Sequence, residues 1–215
     1  MNNAGLAYTS RIEWGKFQDH FSHLFDVNTF GLVKVTRTFL PLIRQSRGRV
    51  INVSSVAGWL TCPYLCAYSM TKHAITAFTD SLRREMSMFG VSVSGIEPFF
   101  FKTPMVDELT GSFVSQLWQA TPETVREAYG EDTLNHFLGL LTNQLPANED
   151  VGQVAQAILA GLVDYQPKIV YSVIPRFFEK IFLNFLNMLP MQVQDYQWKI
   201  FFNYLFCIFV NLISN

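Results

Sequence analysis

Tyr68-Ser69-Met70-Thr71-Lys72, with Ser55 thirteen residues before the tyrosine, is the stretch of this chain whose residue types and spacing could do chemistry. Residues four apart share one face of a helix, so the Tyr68 hydroxyl and the Lys72 ammonium can enter the same pocket. A free tyrosine ionises near ~10 and is a poor proton shuttle at neutral pH. Bringing it to about 7 takes roughly 4 kcal/mol, which a cation about 4 Å away supplies at an effective dielectric near 20. Lys72 is therefore expected to tune Tyr68. Ser55 is expected to hydrogen-bond the oxygen of a carbonyl or alcohol, holding it where Tyr68 can deliver or take a proton.

Taken alone, Y-x-x-x-K is a weak signal, and a solvated pair on a surface helix accounts for most occurrences. The elements around it sharpen the reading. Val50 to Ser54 is an apolar run that reads as a buried parallel strand ending at Ser55, with Ala57-Gly58 after it. A helix is expected over 67–89, with Ala74, Phe78, Leu82 and Met86 in an apolar row and Arg83, Arg84 and Glu85 facing water. Before the strand, 12–43 reads as a helix with Trp14, Phe17, Phe21, Leu24, Phe25 and Leu32 on a broad apolar face and Pro41 near its end. Asn28 lies inside that helix, where asparagine is mildly unfavourable; from the residues alone, a tolerated surface amide explains it equally well. Val91 to Glu97 reads as the next strand, followed by Pro98 and Thr103. Thr121-Pro122-Glu123 looks like a helix start with the threonine as cap. Asn148-Glu149-Asp150 is expected to cap a further helix that buries Val151, Val154, Ala155, Ile158 and Leu159. Lys168 to Val173 reads as the last strand.

The bulk numbers narrow the function classes. A chain of 215 residues can build one sizeable core. Its net charge of -1 offers no basic field for nucleic acid. Cys62, Cys66 and Cys207 are odd in number and lack zinc-site spacing, which suits a reduced compartment. His20, His23 and His136 form no metal-binding spacing either, and His73 reads as a helix-surface residue. The composition is apolar, 49% hydrophobic with 20 Phe.

Much of that apolar character lies at the C-terminus. Phe177, Phe178, Ile181, Phe182, Phe185, Leu186 and Leu189 share one helical face, and no charged side chain follows Lys199. Fourteen residues, 200–213, would make about 21 Å of helix against a hydrocarbon core of roughly 30 Å. A segment lying on a membrane surface is thus better supported than a span, with a tail docked on the domain or on a second subunit as the alternative. The division expected is a catalytic domain over 1–175 and an apolar extension over 176–215.

Asn2-Asn3-Ala4-Gly5, Asn28, Ser55, Tyr68 with Lys72, and Pro98 with Thr103 stand in the order and at the spacing of the short-chain dehydrogenase/reductase motifs, and the chain resembles that family from Asn2 to about Tyr171. Arg49 to Gly58, Leu82-Arg83-Arg84-Glu85 with Phe89-Gly90-Val91, Glu97-Pro98, and Leu189-Pro190 with Asp195 look most like its retinol and hydroxysteroid dehydrogenase branch; 3-hydroxybutyrate dehydrogenases are a close cousin. The resemblance implies an α/β fold with a doubly wound, Rossmann-like parallel sheet, here lacking its first three strands and their G-x-x-x-G-x-G turn, and carrying a helical C-terminal extension. It implies hydride transfer between a nicotinamide dinucleotide and an apolar alcohol or ketone. In that chemistry Tyr68 is the acid/base, Ser55 orients the substrate oxygen, and Lys72 tunes Tyr68 and holds the ribose. Asn28 would support the relay through a backbone kink holding a water linked to Lys72. Asn3, Ala4, Gly5, Tyr68, Lys72, Pro98 and Thr103 would line the cofactor site. The branch points to NAD, with NADP open because the strand that selects between them is not in the sequence. It also implies a membrane-associated protein of the endoplasmic reticulum, with the mitochondrion as alternative, and a possible homodimer. Phe99 stands where the family has glycine; a need for positive φ there would strain it, and the Phe99-Phe100-Phe101 triplet could instead wall the substrate. The competing reading is an inactive relative that acts as a binding or dimerisation partner.

Overall fold

A computed structural model describes the chain apart from residues 62, 106–111, 131, 145–147, 175–184, 186 and 201–215, and gives the backbone alone for 112, 136, 140–144 and 196–200. Strands β1 (Arg49–Val53), β2 (Ser92–Pro98) and β3 (Val170–Val173) form a parallel sheet in that order. Asn2 extends it on the β1 side. Its N–H donates to the Ile51 carbonyl at 2.8 Å and its carbonyl accepts from Val53 N at 2.9 Å. The apolar residues of β1 and β2, Val50, Ile51, Val53, Val93 and Ile96, fall on both faces of the sheet because both are covered. On one face Val50 and Val93 meet Leu40, Ile43, Phe78, Leu82 and Met86; on the other, Ile51, Ile96 and Tyr171 meet Val154, Ala157 and Ile158. Helices on both faces of a parallel sheet make this the doubly wound α/β fold the motifs predict.

The helix before β1, α1, runs over 18–45, shorter than expected. It contains two π-helical segments, Gln18–Ser22 and Asp26–Gly31, ahead of the regular Leu32–Gln45. Residues 12–15 form a turn instead, with Gly15 at φ +75° and its N–H given to Thr121 Oγ1 at 2.9 Å. A side chain on Gly15 would collide with Leu117, 2.4 Å from the place of a Cβ. The expected apolar face is partly corrected too: Trp14 and Leu24 are buried, whereas Phe17 is 66% exposed. Pro41 does not end α1 but sits inside it. It lies on the solvent side, as does Arg37 four residues earlier, so the carbonyl that the missing N–H leaves without its helical partner is on the face open to solvent. The helix ends with Arg47 in the left-handed region at φ 48°. Gly48 N bonds the Ile43 carbonyl and Arg47 N the Arg44 carbonyl, a cap usually built on glycine.

After β1 comes a 3-10 turn, Val56–Gly58, and then α2, Cys66–Met86. Short helices α3 (Ser112–Gln119), α4 (Glu123–Tyr129) and α5 (Asp132–Gln144) follow β2. They close a second core of Trp14, Val114, Leu117, Trp118 and Phe137. Thr121 does not cap α4. Its hydroxyl bonds back to the Leu117 carbonyl and accepts from Gly15. Helix α6 (Gly152–Val163) precedes β3, with Asp150 Oδ1 accepting from Gly152 N. Its sheet-facing stripe is Val154, Ala157, Ile158 and Gly161, of which Gly161 is buried and the rest half-buried. Val151, Ala155 and Leu159, expected inside, are exposed, because Gly161 sits against the Ile51 side chain and fixes which face looks at the sheet. The last described helix, α7, is Met191–Ile200.

Candidate active site

The site sits at the carboxyl ends of β1 and β2, where open α/β sheets hold ligands. Ser55 leaves β1 in extended conformation, at φ -173° and ψ 166°, and its Oγ accepts from Ala57 N at 3.1 Å to start the 3-10 turn. That turn presses on α2: a Cβ at Gly58 would lie 2.6 Å from both Ser54 Oγ and Thr76 Oγ1. The turn thereby places Ser55 opposite the first coil of α2. The Ser55 hydroxyl hydrogen-bonds Tyr68 and lies 3.4 Å from the Pro98 carbonyl.

Lys72 is buried one turn further along α2, its Nζ donating to the Val53 carbonyl at 3.1 Å and lying 5.5 Å from the Tyr68 ring centroid. Burial pushes the Tyr68 hydroxyl up to about 12, opposed by the Ser55 hydrogen bond, and pulls Lys72 down to about 8. The lowering of Tyr68 to about 7 expected from Lys72 is thus outweighed in this structure by desolvation of the phenol.

Asn28 is fully buried in the second π segment of α1. Its side chain grips the backbone of Leu6, accepting from N at 2.8 Å and donating to O at 2.9 Å, and it also donates to Thr71 Oγ1 at 3.0 Å. The backbone at this asparagine is a wide π turn, a feature frequent at functional sites. Holding Leu6 brings the Asn3-Ala4-Gly5 turn over Lys72: a Cβ at Gly5 would lie 3.4 Å from Asn28 Oδ1 and 3.8 Å from Lys72 Nζ.

A cavity of about 610 Å³ opens there. Asn3, Ala4 and Gly5 line one side, Ser55, Tyr68 and Lys72 the floor, and Pro98 and Thr103 the far side. Every residue expected in the site faces this one cavity except Asn28, which stands behind it. Its remaining wall is apolar, with Val56, Leu60, Leu65, Phe99, Phe100 and Phe101 prominent. Phe99 takes an ordinary negative φ and its N–H bonds the Val173 carbonyl at 3.0 Å, so no strain follows from the loss of glycine.

The residues fit the nicotinamide and ribose end of a dinucleotide: a turn without side-chain bulk at Gly5, a cation beneath it, and a threonine across the gap. Sequence reasoning missed Thr71, which bonds both Asn28 and the Tyr68 carbonyl, and the buried Asn52, Thr36 and Thr79, which with the half-buried Asn2 tie the sheet to α1 and α2. Polar residues on positions otherwise read as buried were the available signal.

A sequence profile described as short chain dehydrogenase matches residues 1–112 of the 215, just over half. The chain belongs to the short-chain dehydrogenase family. Within the family it is similar to retinol dehydrogenase 16 of Mus musculus, 42% identical over 176 residues that cover 80% of this chain and 55% of the relative. It is also similar to 17-beta-hydroxysteroid dehydrogenase type 6 of Mus musculus, 36% identical over 199 residues, 91% of this chain and 62% of the relative. This short-chain dehydrogenase thus spans a little over half the length of these relatives. Among solved structures, a short-chain dehydrogenase from Streptomyces avermitilis matches with a TM-score of 0.63 at 22% identity, covering 92% of this chain and 67% of that one. One from Burkholderia phymatum, in complex with NAD, matches with a TM-score of 0.61 at 22% identity, covering 84% and 62%. Both share the fold.

Proposed function

We propose that this short-chain dehydrogenase chain carries the proton-transfer and substrate-holding part of an oxidoreductase acting on an apolar alcohol or ketone. The observation that carries it is the meeting of Ser55, Tyr68 and Lys72 on the floor of one cavity whose other walls are aromatic and aliphatic. A nicotinamide dinucleotide, NAD by kinship with NADP as second choice, would supply the hydride acceptor or donor. Lys72 and Tyr68 would hold its ribose, with Asn3, Ala4, Gly5, Pro98 and Thr103 around the nicotinamide. Ser55 holds the substrate oxygen and Tyr68 exchanges its proton. Lys72 keeps positive charge beneath the phenol, and Asn28, locked to Leu6 and Thr71, steadies the turn above it. The names of the relatives favour a retinoid or hydroxysteroid substrate, and a cavity of this volume suits such molecules.

The C-terminal extension, 176–215, is read as the membrane-facing part. Phe185, Met188 and Met191 are exposed, at 54%, 84% and 77%, while Leu189 between them packs toward the cavity wall. Among the described residues no helix is long and apolar enough to cross a membrane. The residues 177, 178, 181, 182 and 200–213 that prompted the surface reading lie almost entirely outside the described part, which includes Ile200 by its backbone only.

The test is oxidation of retinol and of a 17β-hydroxysteroid, with NAD and with NADP, by the chain preceded by the first three strands and G-x-x-x-G-x-G turn of a full-length relative, followed by nicotinamide absorbance. Turnover of either alcohol is the expected result. Absence of turnover together with absence of dinucleotide binding by calorimetry would leave the chain as a binding relative without activity.

A further inference from the structure

Glu97 is a buried carboxyl group that the proposed chemistry does not use. It ends the apolar part of β2 and is 6% exposed. One of its oxygens, Oε2, accepts from Trp59 Nε1 and from Ser172 Oγ, each at 3.0 Å. Burying a carboxyl group is costly unless it is hydrogen-bonded. Burial pushes its pKa above 4.5, the nearby Asp80 adds to that, and the two hydrogen bonds oppose it. Two donors converging on one oxygen fix positions on both sides of it.

Two of the three segments joined by this oxygen carry residues that line the cavity, and the third holds one of those residues in place. Trp59 ends the 3-10 turn that Ser55 begins. Glu97 precedes Pro98, whose carbonyl faces the Ser55 hydroxyl. Ser172 lies in β3, next to Val173, which holds the Phe99 N–H. The Trp59 ring packs in a cluster with Val56, Leu60, Phe99, Ile174 and Leu189. Val56, Leu60 and Phe99 are also apolar wall residues of the cavity. Trp59 therefore packs against that wall, as Leu189 of the C-terminal extension does, with its indole N–H pinned by Glu97.

We propose that Glu97, acting through Trp59, is a positioning residue that sets the apolar wall of the cavity and so governs how tightly the apolar end of the substrate is held. It touches neither the reacting oxygen nor Tyr68. Its removal weakens the hold on large alcohols and leaves small ones and the proton step alone. This rests on the reading of the cavity as an apolar-alcohol site.

The experiment compares the wild-type chain with Glu97→Gln, Glu97→Ala and Trp59→Phe. Equilibrium affinity is measured for retinol and for cyclohexanol, a large and a small apolar alcohol, with turnover recorded separately. Glu97→Ala and Trp59→Phe should each weaken retinol binding about tenfold, the factor that corresponds to roughly 1.4 kcal/mol, while changing cyclohexanol binding less than about twofold. Glu97→Gln retains an oxygen that can accept both hydrogen bonds and should bind retinol within about twofold of wild type. Where turnover is present, the loss should fall on KM and spare kcat. Trp59→Phe keeps the test open if Glu97→Ala does not fold. Equal losses for both alcohols, unchanged retinol affinity in Trp59→Phe, or a wild type that does not prefer retinol would each overturn the proposal. Size-selective losses in a chain that shows no turnover would uphold it and count against the oxidoreductase reading alone.

Discussion

Asn28 and Thr71 are forty-three residues apart in the chain and 3.0 Å apart in space, where the Asn28 amide donates to the Thr71 hydroxyl. The same hydroxyl donates to the Tyr68 carbonyl at 2.7 Å. These bonds, with those from Asn28 to Leu6, tie the segment over the cavity, the π turn of α1 and the helix that carries Tyr68 and Lys72 to one another. Replacing Thr71 by valine keeps the shape and leaves the buried Asn28 donor without that acceptor. We expect Thr71→Val to cost about 1–3 kcal/mol in urea unfolding and Thr71→Ser to cost less than about 1.

Tyr68→Phe removes the hydroxyl that Ser55 contacts and leaves the ring in place. Turnover should fall by about 10²–10⁴-fold, with dinucleotide affinity changed by less than about threefold. Retained turnover above about one percent would remove Tyr68 from the acid/base role.

The pH dependence of stability carries the imprint of Lys72. Its pKa falls from 10.5 to about 8 on folding because burial disfavours the ammonium. Between those values the unfolded chain binds more protons, so stability rises with pH over that interval. The wild type should gain roughly 3 kcal/mol relative to Lys72→Met between pH 8 and 10.5. A constant difference between the two unfolding curves would contradict the assignment. Glu97 works in the other direction: its raised pKa favours the fold at low pH, and that contribution is lost as pH rises through the folded value. Glu97→Gln should flatten this acid-side slope.

Gly58 is placed by crowding, since a methyl group would meet Ser54, Thr76 and the Lys72 carbonyl, 3.0 Å from the Cβ position. Gly58→Ala should destabilise by about 1–3 kcal/mol, as overpacking does. It should also lower activity more than a stability-matched Thr71→Val, because the shift is passed to Ser55. Thermal melts paired with turnover assays would show both.

For the extension, substituting aspartate at the exposed Phe185, Met188 and Met191 together should abolish flotation with liposomes of neutral phospholipid. The fold should be untouched, because all three side chains already face out. Equal flotation of variant and wild type would end the membrane-surface reading.

What could be read from the amino-acid sequence was whatever depends on local spacing. Ser55 at a strand end and Tyr68 and Lys72 one helical turn apart need only the periods of strand and helix, and all three reach the same cavity. The parallel sheet was legible for the same reason, from the Val- and Ile-bearing runs of β1 and β2, although Asn52, Ser94 and Glu97 interrupt them. Thr121 misled because its hydroxyl, in a sequence typical of a helix cap, is taken by Gly15 from far along the chain. Pro41 misled because an exposed helix face tolerates what a buried one does not. Trp59 and Glu97 were invisible as a pair: their contact depends on the register of β2 against β1 and on how the 3-10 turn folds back. The desolvation of Tyr68, which outweighs its neighbouring cation, depends on packing that no spacing rule contains.

The π turn at Asp26–Gly31 gives α1 a phase as well as a direction. An α-helix advances about 100° per residue, and a π turn accommodates one residue more than an α turn. Deleting one residue within 26–31 would let the helix tighten to regular geometry, at little cost to its own hydrogen bonds. Because that turn already absorbs one extra residue, the coils before it would keep their phase relative to Leu32 and Thr36, and what would be lost is the wide turn that aims Asn28 at Leu6. The same deletion within Leu32–Gln45, where no extra residue is stored, would instead rotate the first half by about 100° and address it to the wrong side of the molecule.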